Sequence, residues 1–350
     1  MIKILIVDDS ALMRRHLAAV FEAEGGFEIG LARNGKEAVE ENMAFKPDVV
    51  TLDINMPEMD GLTALALLMA ERPVPVVMVS SLTEKGALAS FEAMALGAVD
   101  YIAKPDGTIS LSIDAIRREI IDKVRAAYRA KPKCARGGKN FQRDAIKPAQ
   151  KEVKKHFETA DSGVVVIGVS TGGPRTLEDI LPQLPEDFPW PILVAQHMPS
   201  SFTLPFANRM NDLCRLQVTE ASRIVPLEAG TIYIAKGGAD AVLTRRVGRL
   251  SMQAKPEAPE YLWHPSVELL GRSVLEHYEP TQVIAVMLTG MGYDGADAFA
   301  EIRKKGGRTI AESEASAVVF GMPAELIKRG GATVVLDSGR IADQIVQWAG

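Results

Sequence analysis

Short β-branched runs alternate with amphipathic segments twice along this chain, and a stretch with neither pattern parts the two series. In the first series the runs are IKILIV (2–7), FEIGLA (27–32), DVVTLD (48–53), VPVVMVS (74–80) and AVDYIAK (98–104). Segments of helical spacing lie between them, such as ALMRRHLAAVFEAEG, with Ser10 placed to cap its N-terminus. Five such β–α pairs over 1–128 predict a doubly wound five-stranded parallel sheet, whose ligands sit at the carboxyl ends of the strands. Residues 129–160 hold few large apolar side chains, many Lys and Arg, and a Gly pair. They read as a flexible basic linker with a helical turn near its end, or as a docking surface for an acidic partner. From 163 the alternation resumes with VVVIGV (164–169), PILVAQ (191–196), LQVTE (216–220), TIYIA (231–235), QVIAVML (282–288), RTIA (308–311) and ATVVLD (332–337). This predicts a second α/β, Rossmann-like domain over 161–350 with some antiparallel strands. Residues 231–253 lack helical periodicity and are expected to form a β-hairpin beside the sheet.

A length of 350 residues suits roughly two domains. Hydrophobic residues are 47% and charged residues 24%, which supplies a core for each half. A net charge of −5 gives no general attraction for nucleic acid. The two cysteines, Cys134 and Cys214, have neither metal spacing nor a pairing pattern, which suits a reducing compartment. MIKILIV runs straight into Asp8-Asp9, too short for a signal core and without a cleavage site. No apolar stretch is long enough to span a bilayer. The expectation is a soluble cytoplasmic protein without direct membrane insertion.

In the first half the strands end in chemistry. The first ends in Asp8-Asp9, the third in Asp53, the fourth in Ser80 and the fifth in Lys104. In a parallel sheet these ends share one edge. Three carboxylates there repel one another and suit a hard divalent cation such as Mg²⁺. Lys104 offers charge to phosphate oxygens and Ser80 a hydroxyl, and Asp53 can accept a phosphoryl group as a carboxylate nucleophile. VDDS (7–10), LDINMPEMDGL (52–62), VMVSSLT (77–83) and DYIAKP (100–105) make this half resemble response-regulator receiver domains. The resemblance implies phosphorylation at Asp53 and Mg²⁺ held by Asp8, Asp9, Asp53 and the backbone carbonyl of Asn55. It also implies Ser80 and Tyr101 as a switch pair; a half-buried strand aromatic is the plain alternative for Tyr101.

In the second half GVSTGG (168–173) follows a strand. Gly168-x-Ser170-x-Gly172 is a bend that can expose a serine hydroxyl, and it also resembles a phosphate-cradling loop, though without the lysine of a P-loop. A nucleophilic serine needs a base, and the chain has five histidines. His16 falls in the first helix of the other domain and His156 in the linker. His277 ends a predicted helix, and His264, which precedes Pro265 at a helix start, is a possible base. His197 follows the strand PILVAQ and so shares an edge with Ser170. Asp294 follows QVIAVML in a Gly-rich turn and can fix the imidazole; a helix-opening acid is its other reading. Asp297 is expected to face outward. The order Ser, His, Asp differs from the Ser, Asp, His of α/β-hydrolases.

With IGVSTGGP (167–174), AQHMP (195–199), SFTLPFANRMN (201–211), TIYIAKGG (231–238), HPSVELL (264–270), VMLTGMGYDGA (286–296) and GMPAELI (321–327), the chain resembles the chemotaxis protein-glutamate methylesterases over nearly its whole length. The resemblance implies Ser170, His197 and Asp294 as a triad. It implies γ-glutamyl methyl esters of methyl-accepting chemoreceptors as substrates, with glutamine deamidation at similar sites. It further implies a sensor histidine kinase as phosphodonor. Members often read His-Arg-Pro-Ser-Val-Asp where this chain has Trp263 to Glu268, and Gln where it has Glu312. An acid is frequent at the position of Asn55. The amides of Thr171 and Met291 are candidate donors to the oxyanion, and no metal is expected in this half. An unphosphorylated receiver is expected to cover the catalytic cleft until Asp53 is phosphorylated.

Overall fold

The computed structural model describes residues 1–81, 83–104, 109–130 and 163–350. The chain divides into two compact units, Met1–Ala145 and Ile146–Gly350. Most of the basic connector expected at 129–160, with Cys134 and His156, lies outside the described residues.

In the first unit β1 (Ile2–Val7), β2 (Phe27–Ala32), β3 (Val49–Asp53), β4 (Val76–Ser81) and β5 (Asp100–Lys104) form one parallel sheet in the order β2-β1-β3-β4-β5. The strands alternate with α1 (Ala11–Glu24), α2 (Gly35–Ala44), α3 (Gly61–Glu71), α4 (Glu84–Leu96) and α5 (Ile109–Arg129). Local sequence starts these helices: Ser10, Asn34, Asp60 and Thr83 each accept a first-turn amide. Strands β3 and β4 are buried almost throughout, which is why they read as unbroken apolar runs.

The second unit holds a seven-stranded parallel sheet in the order β15-β14-β13-β6-β7-β10-β8. Its strands are β6 (Val164–Val169), β7 (Ile192–Gln196), β8 (Gln217–Ala221), β10 (Thr231–Ala235), β13 (Val283–Met287), β14 (Arg308–Glu312) and β15 (Val334–Leu336). A small antiparallel sheet joins β9 (Val225–Pro226), β11 (Asp240–Arg246) and β12 (Arg249–Lys255). The helices are α6 (Gly173–Ile180), α7 (Ser200–Leu213), α8 (Val267–His277), α9 (Ala296–Lys304), α10 (Met322–Lys328) and α11 (Ser338–Ala349).

The hairpin expected over 231–253 begins later. TIYIA is fully buried and pairs parallel with both β7 and β8, so it belongs to the main sheet; the hairpin is β11 and β12. From β6 the chain proceeds to β7 on one side, and from β13 to β14 on the other. The carboxyl ends of β6 and β13 therefore flank the topological switch point, where an open α/β sheet leaves a crevice.

Candidate active site

Three loops meet at that switch point. Ser170 follows β6, and its amide donates to the Thr289 carbonyl beyond β13 at 2.9 Å. His197 follows β7, and its amide donates to the Val169 carbonyl at 3.1 Å. Asp294 lies in the turn between β13 and α9 and is buried.

His197 Nε2 stands 2.9 Å from Asp294 Oδ2. The same carboxylate accepts the Val267 amide at 2.7 Å, the Glu268 amide at 3.0 Å and the Ser266 hydroxyl at 3.1 Å. Val267 and Glu268 open α8, so the positive end of that helix is aimed at Asp294. The sequence offered Asp294 as an opening acid of α9; it serves α8 instead, and α9 is entered through Gly295. Burial alone pushes this carboxyl up. The His197 bond and charge, with the two amides, more than offset that and hold it below its ordinary value of 3.8, so it is an anion at neutral pH. Asp297 is exposed and pairs with Arg329 at 2.6 Å.

The other ring nitrogen, His197 Nδ1, is buried without a hydrogen-bond partner. With Nε2–H assigned as donor to the carboxylate, Nδ1 is the acceptor that a neighbouring hydroxyl can complete. The familiar Ser-His-Asp arrangement uses the two nitrogens the other way round.

Trp263 stacks on the imidazole with planes 3° apart and centroids 5.9 Å apart, and Tyr293 meets the indole edge-on at 5.3 Å. Gly292 has φ +91°, and a Cβ there would lie 2.8 Å from the indole. Only glycine satisfies both demands cheaply. Neither Trp263 nor Ser266 was singled out from sequence as a site residue, because loop positions carry no period that marks what they cover. His264 bonds a different acid: its Nδ1 is 3.0 Å from the buried Asp240, which also accepts the Ser266 amide at 2.9 Å. This second His–Asp pair fixes the entry to α8. His277 bonds the Ser273 carbonyl within its own helix.

Thr171 is buried next to Ser170, and its carbonyl accepts the Thr289 hydroxyl at 2.8 Å. Met291 is half-buried, two residues beyond Thr289. Glu312 is fully buried, accepting the Thr289 amide at 2.8 Å and the Ser316 hydroxyl at 2.8 Å. Cys214 is buried at the end of α7.

In the first unit, carboxylate oxygens of Asp8, Asp9 and Asp53 lie within 4.8 Å of one another, a donor set that fits a hard divalent cation. Lys104 Nζ bridges two of them, at 2.9 Å from Asp8 and 2.8 Å from Asp53. Burial, aided by the Asp8 charge, raises the Asp53 carboxyl; Lys104 and the Asn55 amide pull against that and do not fully cancel it. Asn55 itself is exposed. Ser80 is fully buried, and its hydroxyl donates to the Gly86 carbonyl at 3.0 Å instead of facing the acids. Tyr101 is buried too, not half-buried, with Lys123 Nζ 4.9 Å from its ring centre; burial first, then Asp100 and Glu119, push its phenol well above 10.0.

Residues 165–345 match the family model described as CheB methylesterase, and residues 4–113 match that of the response regulator receiver domain. A protein-glutamate methylesterase/protein-glutamine glutaminase of Rhodospirillum rubrum is 57% identical over 99% of this chain and 96% of that protein. The chain belongs to the CheB methylesterase family. A second relative of the same description, from Rhodopseudomonas palustris, is 48% identical over 99% of this chain and 98% of its own length. The CheB methylesterase catalytic domain of Thermotoga maritima is 38% identical, covers 53% of this chain and 98% of that domain, and superposes with a TM-score of 0.51. This chain is thus a CheB-family methylesterase with a receiver domain. Among the described residues no helix is long and apolar enough to cross a membrane.

Proposed function

We propose that this chain hydrolyses γ-glutamyl methyl esters on chemoreceptors, and deamidates receptor glutamines, through Ser170, His197 and Asp294. The observation that carries the reading is the buried His197–Asp294 pair beside Ser170, with Nδ1 left to receive a proton. Ser170 Oγ attacks the ester carbonyl as its proton passes to His197 Nδ1; Nε2–H stays with Asp294, whose charge stabilises the imidazolium. The tetrahedral oxyanion is met by the amides of Thr171 and Met291. Collapse expels methanol, which takes the proton from Nδ1. Water then attacks the acyl-serine by the same route reversed, leaving a glutamate carboxylate. With a glutamine substrate, ammonia leaves in place of methanol.

The receiver, 1–128, supplies control through a basic connector over 129–160 to the catalytic domain over 161–350. Asp53 accepts a phosphoryl group from a sensor histidine kinase. Asp8, Asp9, Asp53 and the Asn55 carbonyl would hold Mg²⁺, which supplies charge neutralisation for the incoming phosphoryl oxygens. Lys104 offers a cation to those oxygens. Ser80 leaves the Gly86 carbonyl to meet the phosphoryl group, and Tyr101 responds as its partner in the switch. The chain acts in the cytoplasm, in sensory adaptation of bacterial chemotaxis.

The test is release of methanol from receptor membranes labelled in their methyl groups. Wild-type protein should release it and Ser170→Ala should not. Equal release by both would overturn the reading.

A further inference from the structure

We propose that Gln196 is a positioning residue that locks the serine loop to the histidine loop, and that residue 173 is glycine in order to admit it. This rests on Ser170 and His197 as nucleophile and base.

Gln196 ends β7 and is 2% exposed. Its Nε2 donates to the Ser170 carbonyl at 3.1 Å and to the His197 carbonyl at 3.0 Å. Both N–H bonds are used, and both partners can only accept. A reversed amide would set its oxygen against two carbonyls, so the orientation is fixed. The β6–β7 ladder ends at the pair Val169 and Gln196. The last backbone bond between the two strands runs from the His197 amide to the Val169 carbonyl at 3.1 Å, and past it the side-chain amide spans the two loops.

The amide is held at a cost. Its Oε1 is buried without a partner, and a buried unsatisfied acceptor lowers stability. An apolar side chain would serve a plain packing role there with no such loss. Oε1 lies against Gly173, where a Cβ would stand 2.0 Å from it and 2.6 Å from Val169 Cγ2. Gly173 opens α6 without a left-handed φ, so backbone conformation does not demand glycine; room for the amide first, and for Val169 Cγ2 second, does. The last residue of GVSTGG is thereby explained by a side chain on the neighbouring strand.

Proton transfer from Ser170 to His197 needs hydrogen-bond reach, and a displacement of about 1 Å costs on the order of 10²-fold in rate. The test is the rate at which a fluorophosphonate labels Ser170 in the full chain, read by peptide mass spectrometry and needing no receptor. In Gln196→Glu the isosteric carboxylate lacks donors. Labelling should slow by about 10- to 100-fold. The deficit should shrink as pH falls and the introduced carboxyl regains one O–H. Gly173→Ala should also slow labelling, and the pair Gly173→Ala with Gln196→Ala should lose less than the sum of the two single losses, since the amide is shared while the Val169 contact at 2.6 Å remains. Labelling of Gln196→Glu within about twofold of wild type at every pH, or fully additive losses in the pair, overturns the lock. If Gln196→Glu does not fold, Gly173→Ala carries the test, and wild-type labelling by that variant overturns the lock. Failure of the wild-type protein itself to label at Ser170 overturns the nucleophile assignment, and the lock with it.

Discussion

Asp294 binds His197 through Nε2 at 2.9 Å while holding two amides of α8 and the Ser266 hydroxyl. One carboxylate therefore orients the His197 imidazole and secures a helix. Asp294→Asn places an NH₂ against donors and favours the wrong tautomer of the imidazole. Methanol release should fall by about 10³- to 10⁴-fold. Stability should fall by about 1–3 kcal/mol, measured by denaturant melts.

The same group sets part of the acid limb of stability. Its folded carboxyl lies below the ordinary 3.8, so its contribution is complete above that value and is lost as pH falls through the lower folded one. Wild type should therefore lose stability relative to Asp294→Asn as pH drops below about 4. Parallel curves for the two proteins in that range would contradict this.

Trp263 covers one face of His197, and Gly292 makes room for it. Trp263→Ala frees the ring to rotate and admits water. It should lower kcat for methanol release by about 10-fold, with Trp263→Phe retaining most of the rate. Gly292→Ala should behave like Trp263→Ala, since its Cβ enters the indole's space.

Lys104 holds oxygens of Asp8 and Asp53 that a bound cation would need. Lys104→Met should bind Mg²⁺ several-fold more tightly by calorimetry, because that competition is gone. It should also accept phosphate from a small phosphodonor more slowly, because a charge near the phosphoryl oxygens is lost. Weaker Mg²⁺ binding would show that the lysine does not compete.

The hairpin turn between β11 and β12 is Val247-Gly248, with φ of 48° and 77°. Both central residues are left-handed, as a two-residue primed turn needs, but valine is poorly suited to that region. Its side chain is fully exposed and packs on nothing. Val247→Asn should raise stability by about 1 kcal/mol and the Tm by about 2–4 °C, with methanol release unchanged.

Much of the architecture was legible because the central strands of both parallel sheets are buried runs and the reactive side chains stand at strand ends. Ser170, His197, Asp53 and Lys104 could be placed on edges from chain order alone. What stayed hidden depended on which elements meet. That Asp294 serves α8, that Trp263 lies over His197 and that Ser80 bonds Gly86 all follow from packing between segments distant in sequence or folded back locally. TIYIA and the β11 run both lie in a stretch without helical period. Pairing on both sides assigns one to the central sheet, and a left-handed turn assigns the other to the hairpin.

Phosphorylation of the receiver is proposed to control a serine hydrolase in the same chain. The most direct measurement is methanol release from labelled receptor membranes, with and without a small phosphodonor plus Mg²⁺, for wild type and Asp53→Asn. The phosphodonor should speed release by wild type and leave Asp53→Asn unchanged. Equal stimulation of both proteins, or stimulation of neither, would contradict it.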